Sequence, residues 1–132
     1  MQTRSAAQGA ANRAAQTAIE AVDASLNAVI ASLDDSKAEI VFTIDIHGKS
    51  ALGDYLVIAS GRSHRHVGAI ADHLLRDLKD KGFGAPRIEG VPGCDWVLID
   101  TGDIIIHLFR PEVREFYGIE KMWQVPELQE IH

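Results

Sequence analysis

Apolar residues set the rhythm of this chain. From Ala15 onward, Ala15, Ile19, Val22, Leu26, Val29 and Leu33 recur at alternating spacings of four and three, with Glu20, Asp23, Asn27 and Ser32 between them. That period predicts an amphipathic helix ending near Asp34-Asp35-Ser36. A coiled-coil seam would need more heptads than this, so packing onto a sheet is the plainer outcome. The period then switches to two over Glu39 to Ile46, where Ile40, Phe42, Ile44 and Ile46 alternate with Val41, Thr43 and Asp45, and a strand is predicted. Tyr55 to Ala59 is a continuous apolar run closed by Ser60-Gly61, the pattern of a buried strand. Ser63 is placed to cap a second helix, whose stripe of Val67, Ile70, Ala71, Leu74, Leu75 and Leu78 stops before Gly82 and Gly84. A short strand follows over Arg87 to Gly90.

The stretch Asp95 to Gly118 is the densest. Trp96 to Ile99 and Ile104 to Phe109 are rich in β-branched and aromatic residues, and Asp100-Thr101-Gly102-Asp103 joins them as a hairpin. Gly102 accepts positive φ while the β-branched Thr101 resists it, so a turn with a glycine bulge is expected rather than an ideal mirror-image turn. Strand alternation puts Trp96, Leu98 and Asp100 on one face against Val97 and Ile99, and Ile105, His107 and Phe109 on one face against Ile104, Ile106 and Leu108. Both faces are largely apolar, so the hairpin sits centrally in its sheet or is covered on one side by a partner. Pro111 then holds Arg110 extended and starts a short helix, with Glu112 and Glu115 near its positive end and Gly118 closing it. A further turn is expected over Ile119 to Trp123. The sum is a single α/β domain, a mixed sheet of about five strands with helices packed on it. Its bounds are 15–123, between a disordered or frayed extension over 1–14 and a tail over 124–132.

Charge narrows the partners. With 13 Lys and Arg against 19 Asp and Glu the formal charge of this 132-residue chain is −6, and no basic run tracks a phosphate backbone. Direct DNA binding is disfavoured, whereas an acidic surface suits a basic protein, although solubility alone accounts for a modest acidic excess. Cys94 is the one cysteine, which points to a reducing, cytoplasmic setting, and no stretch is long and apolar enough to span a membrane. Residues 1–19 hold Arg4, Arg13 and many alanines without an acid, as an organelle transit peptide does; a bacterial extension explains the same composition more simply.

Candidate chemistry is thin. His47-Gly48-Lys49-Ser50 lacks the first glycine of a phosphate-binding loop, because Thr43 stands in its place. Gly61 and Ser63 at a helix start offer an anion site in principle, but a capping serine is far commoner. A nucleotidyltransferase would add clustered carboxylates for divalent metals, and no Asp-x-Asp occurs here, leaving only Asp100, Asp103 and Glu89 as candidates. His64 and His66 diverge on a helix, and His66 and His73 lie seven apart, too far for one ion. Cys94, His107 and Asp100 hold the residue types of a nucleophilic triad, but residue types without geometry are no signature. No cofactor and no metal are expected.

Against that background the chain carries a resemblance. Asp54-Tyr55 through Val57-Ile58-Ala59-Ser60-Gly61, then Ser63, Arg65 and Val67, then Glu89-Gly90, Trp96-Val97-Leu98, Asp100, Gly102-Asp103, His107-Leu108-Phe109, Pro111, Arg114-Glu115-Phe116-Tyr117 and Glu120 to Trp123 resemble the ribosomal silencing factor family, also called RsfS or Iojap-like. The match runs in order from about Ala15 to Trp123. Arg62, where the family has a small polar residue, and Thr101, where a larger one is common, depart from it. The resemblance implies a nucleotidyltransferase-like shape without catalytic carboxylates. It also implies a non-enzymatic regulator, in a bacterial cytoplasm or an organelle, that attaches to ribosomal protein L-fourteen on the large subunit. There such a factor blocks joining of the small subunit and represses translation when nutrients are scarce; organelle relatives act in ribosome assembly.

On this reading Trp96, Asp100, Thr101, Gly102, Asp103, His107, Phe109, Arg110, Glu115 and Tyr117 form or support the docking face, with Trp96 and Phe109 equally explicable as core. The alternatives are a metal-dependent nucleotidyltransferase using Gly61 and Ser63 for phosphate and Asp100 and Asp103 for metal, or a large-subunit assembly factor in an organelle. An uncovered apolar sheet face would make a homodimer unsurprising.

Overall fold

The computed structural model describes residues 5–119 and 121, with side chains from Glu20 onward. Its elements follow the expected order: α1 Ser5–Asp35, β1 Glu39–Asp45, β2 Tyr55–Ser60, α2 His64–Asp80, β3 Arg87–Glu89, β4 Trp96–Asp100, β5 Ile104–Phe109 and α3 Pro111–Tyr117. The strands form one five-stranded sheet in the order β1-β2-β5-β4-β3. β2 and β5 are parallel and the other neighbours antiparallel, so the sheet is mixed.

β5 lies at the centre, and all six of its residues are buried. Its alternation divides the interior as the sequence requires. Ile104, Ile106 and Leu108 join Val97, Ile99, Val57 and Ala59 beneath the apolar stripes of α1 and α2, represented by Val29, Leu33, Val67, Ile70, Leu74 and Leu78. Ile105 and Phe109 join Leu56, Ile58 and Ile46 on the opposite face, with Trp96, Leu98, Val113 and Ile119 packed against them. Both faces therefore carry buried clusters. The second face is covered only in part, for Phe42, Ile44, Trp96 and Leu98 on it remain half-buried.

Three details differ from the sequence expectation. The helix α1 begins at Ser5 rather than Ala15, so part of the extension expected to be disordered or frayed is helical. Ser32, placed between the apolar positions, is buried with its hydroxyl unpaired. In β1 the alternation fails at its start: a register shift lies between Glu39 and Phe42, Ile40 takes φ 48° and is 72% exposed, and only Phe42, Ile44 and Ile46 turn inward. Bulges cost a strand its regular pleat, and here the freed Ile40 carbonyl accepts from Arg114 Nη1 at 2.7 Å. The turn expected over Ile119 to Trp123 falls largely outside the described residues.

Candidate functional site

The hairpin fixes the geometry of every proposed contact. Trp96 pairs with Phe109, Leu98 with His107 and Asp100 with Ile105, so the aromatic residues gather at the open end of the hairpin and the aspartates at its turn. Four residue steps of strand separate Trp96 from Asp100, roughly 13 Å. The ten residues expected to share one face therefore form two groups.

The aromatic group is a packed ledge. The Trp96 ring lies 4.7 Å from Tyr117, 5.2 Å from Phe109 and 5.7 Å from His107, centroid to centroid. Trp96 Nε1 donates to His107 Nδ1 at 2.8 Å, which requires a neutral imidazole protonated on Nε2. Burial supplies that state, pushing the His107 pKa down to about 4. Phe109 is fully buried, so it supports the ledge from beneath and contacts no partner directly. Pro111 and the left-handed Gly118 (φ 57°) bracket α3, which turns Phe116 (81% exposed) and Tyr117 (52% exposed) outward, edge to face at 5.0 Å. Glu115 is exposed on the same helix.

Charge rims this ledge. Arg110 grips Asp95 Oδ1 through Nη2 at 2.8 Å and Nε at 3.1 Å, and donates from Nη1 to Glu112 at 2.7 Å. His64 Nε2 meets the same Asp95 oxygen at 2.6 Å. Hydrogen bonds from Arg110 first and His64 second hold the Asp95 carboxyl below its usual range. Two residues important here escaped the sequence reading. Asp95 entered only as the start of the hairpin stretch, and Arg114, buried against Ser60 Oγ at 2.9 Å, locks α3 to β2. An arginine one step from Val113 in so short a helix gave no sign of facing inward.

The turn group is ordered by local hydrogen bonds. Asp100 Oδ1 accepts from Gly102 N at 2.8 Å, Thr101 Oγ1 accepts from Ile104 N at 3.0 Å, and Gly102 takes φ 100° as its position demands. Asp103 leaves the hairpin and, with Asp23, Asp45, Asp54, His47, Tyr55 and Val22, lines a cleft of about 380 Å³. Nothing in the sequence placed these four aspartates together, because they come from α1, the loop between β1 and β2 with its flanks, and the hairpin. Asp54 hydrogen-bonds His47 Nδ1 at 2.7 Å and raises its pKa.

The enzymatic alternatives lose their geometry. Gly61 N donates to Phe109 O at one end of the parallel β2–β5 pair, while Asp54 N and Tyr55 N donate to Asp103 O at the other. Gly61 and Ser63 are thus roughly 17 Å from Asp103 and not positioned to share a nucleotide. Ser63 is an N-cap, accepting from His66 N. Cys94 packs in the cluster beneath the helices and His107 on the other face of the sheet, so these triad residue types do not meet. His64 and His66 have separate partners, Asp95 for one and Ser36 O for the other.

Comparison with known proteins converges on one family. A family model described as "Ribosomal silencing factor during starvation" matches residues 8–132, wider at both ends than the 15–123 expected. The ribosomal silencing factor RsfS of Zymomonas mobilis is 55% identical over 98 residues, 74% of each chain. That of Halalkalibacterium halodurans is 37% identical over 74% of this chain and 84% of its own. A mouse protein named for mitochondrial assembly of the ribosomal large subunit is 34% identical over 74% of this chain and 44% of its own. A crystal structure of a Chromobacterium violaceum protein superposes with TM-score 0.75 at 31% identity, covering 77% of this chain and 85% of that one. No helix among the described residues is long and apolar enough to cross a membrane. The chain belongs to the RsfS family of ribosomal silencing factors.

Proposed function

We propose that this chain is a binding protein without catalytic activity, which docks on ribosomal protein L-fourteen of the large subunit and sterically blocks joining of the small subunit. Translation is thereby repressed under nutrient limitation, in a bacterial cytoplasm. One observation supports this above the others: Phe116 and Tyr117 stand exposed on a ledge made rigid by Trp96, His107 and Phe109, with Arg110, Asp95 and Glu112 around it. Exposed aromatics on a preorganised support, rimmed by charge, are what a compact protein interface uses as anchors. Phe116, Tyr117, Trp96 and Glu115 are the contacts, and His107, Phe109 and Arg110 hold them in place. Asp100, Thr101, Gly102 and Asp103 form a separate acidic patch that steers a basic partner without anchoring it.

Co-sedimentation with isolated large subunits across a salt series tests this. Phe116→Ala with Tyr117→Ala is expected to weaken binding at least about tenfold. Unchanged binding by the folded double variant would reject the ledge as the docking face. A subunit-joining assay then separates attachment from blocking, since a factor that binds yet permits joining is no silencer.

A further inference from the structure

Where α1 ends over α2, three side chains with metal-ligating atoms converge. Asp35 closes α1, while His73 and Asp77 occupy positions i and i+4 on α2, and one ligand atom from each lies within 4.8 Å of the others. His73 Nε2 is 3.1 Å from Asp77 Oδ2. Yet this nitrogen is shielded from solvent, and the contact does not have the geometry of a hydrogen bond. At 3.1 Å and off hydrogen-bond geometry, the two atoms are spaced as neighbouring ligands of a common centre are. In a tetrahedral site with bonds near 2.0–2.1 Å, ligand atoms sit roughly 3.3 Å apart. The exposed Asp35 side chain has freedom to close the remaining gap.

Helix electrostatics point the same way. The last turn of α1 holds Asp34 and Asp35 and no basic residue, so two carboxylates face the negative end of a 31-residue helix. A cation bound there offsets that repulsion. Sequence reasoning weighed His73 only against His66, seven residues away, and so missed the partner one turn on and the one supplied by α1.

We propose that Asp35, His73 and Asp77 bind a divalent cation of the zinc class, with water completing the shell, and that the ion clamps the end of α1 onto α2. One imidazole nitrogen and two carboxylate oxygens suit Zn²⁺ among the divalent ions, and softer thiolate ligands are not involved. The site is apart from the aromatic ledge and independent of ribosome attachment.

The test uses untagged full-length protein stripped with chelator and titrated with zinc chloride alone. Binding of one ion at micromolar affinity, a rise in the unfolding midpoint of about 5 °C in excess zinc, and a zinc-induced shift of the His73 imidazole ¹⁵N signal are expected. Asp35→Asn lies on the surface and is expected to fold at least as well without metal, while losing tenfold or more in zinc affinity. His73→Gln is expected to remove binding. No one-to-one binding to the stripped protein overturns the proposal. So does zinc that binds Asp35→Asn and His73→Gln as tightly as the natural chain, which would mark an adventitious ion only.

Discussion

At its open end the β4–β5 hairpin is fastened by rings, and at its turn by backbone-directed hydrogen bonds from Asp100 and Thr101. The first arrangement depends on burial: Phe109 is fully enclosed, His107 nearly so, and Trp96 bridges them to α3. The second is open to water and depends on local conformation alone. The contrast teaches that residues adjacent in a motif divide into a stabilising, desolvated end able to anchor a partner and a solvated end whose charges act at a distance.

The largest expected effect lies at the buried end. Phe109→Ala removes a ring in contact with Trp96 and His107 from a position with no exposure, and is expected to cost about 3–5 kcal/mol in urea unfolding. Ribosome binding by that variant falls with the loss of the ledge. A cost under about 1 kcal/mol would mean that Phe109 is not the support of the aromatic end.

Next comes pH. The folded His107 pKa near 4 lies below its ordinary 6.5, so the unfolded chain binds a proton that the fold rejects. Stability from this group is complete above pH 6.5 and is lost as pH falls toward 4, on the order of 3 kcal/mol in all. Protonation also removes the acceptor for Trp96 Nε1. Unfolding measured at pH 7, 5.5 and 4.5 should show this decline, and His107→Gln, which keeps an acceptor but cannot titrate, should flatten it. An equally steep decline in the variant would assign the effect to other groups.

The turn responds more weakly. Gly102 has open space around its α-carbon but φ 100°, so Gly102→Ala meets backbone strain and no clash. A cost of about 1 kcal/mol is expected, read by thermal unfolding, with little change in ribosome affinity. A variant as stable as the natural chain would show that the turn relaxes to another geometry.

The comparison also shows what the sequence could carry. Period and turn chemistry made α2, its Ser63 cap, the hairpin and the Pro111–Gly118 bracket legible, because each is decided within a few residues. The separation of Trp96 from Asp100 was legible too, through strand rise. Strand order was not, since the parallel pairing of β2 with β5 joins segments across α2, and no local pattern specifies it. For the same reason the cleft of Asp23, Asp45, Asp54 and Asp103 and the inward turn of Arg114 became visible only in three dimensions. Ile40 was misplaced because a bulge leaves no signature in a run of alternating apolar residues.

The smallest expected effect is the one that most sharpens the division. Asp100→Lys with Asp103→Lys reverses charge at the turn, where Asp103 lies beside three further aspartates, so the negative field over that end is largely offset without loss of any ring contact. Asp100 also gives up its bond to Gly102 N, a loss of about 0.5–1 kcal/mol in stability. If the patch steers a basic partner, association slows several-fold at low salt, dissociation stays as it was, and the difference fades as ionic strength rises past roughly 0.15 M. Stopped-flow association with large subunits reads this directly. A faster dissociation rate, undiminished by salt, would instead put the turn inside the contact and merge the two ends into one face.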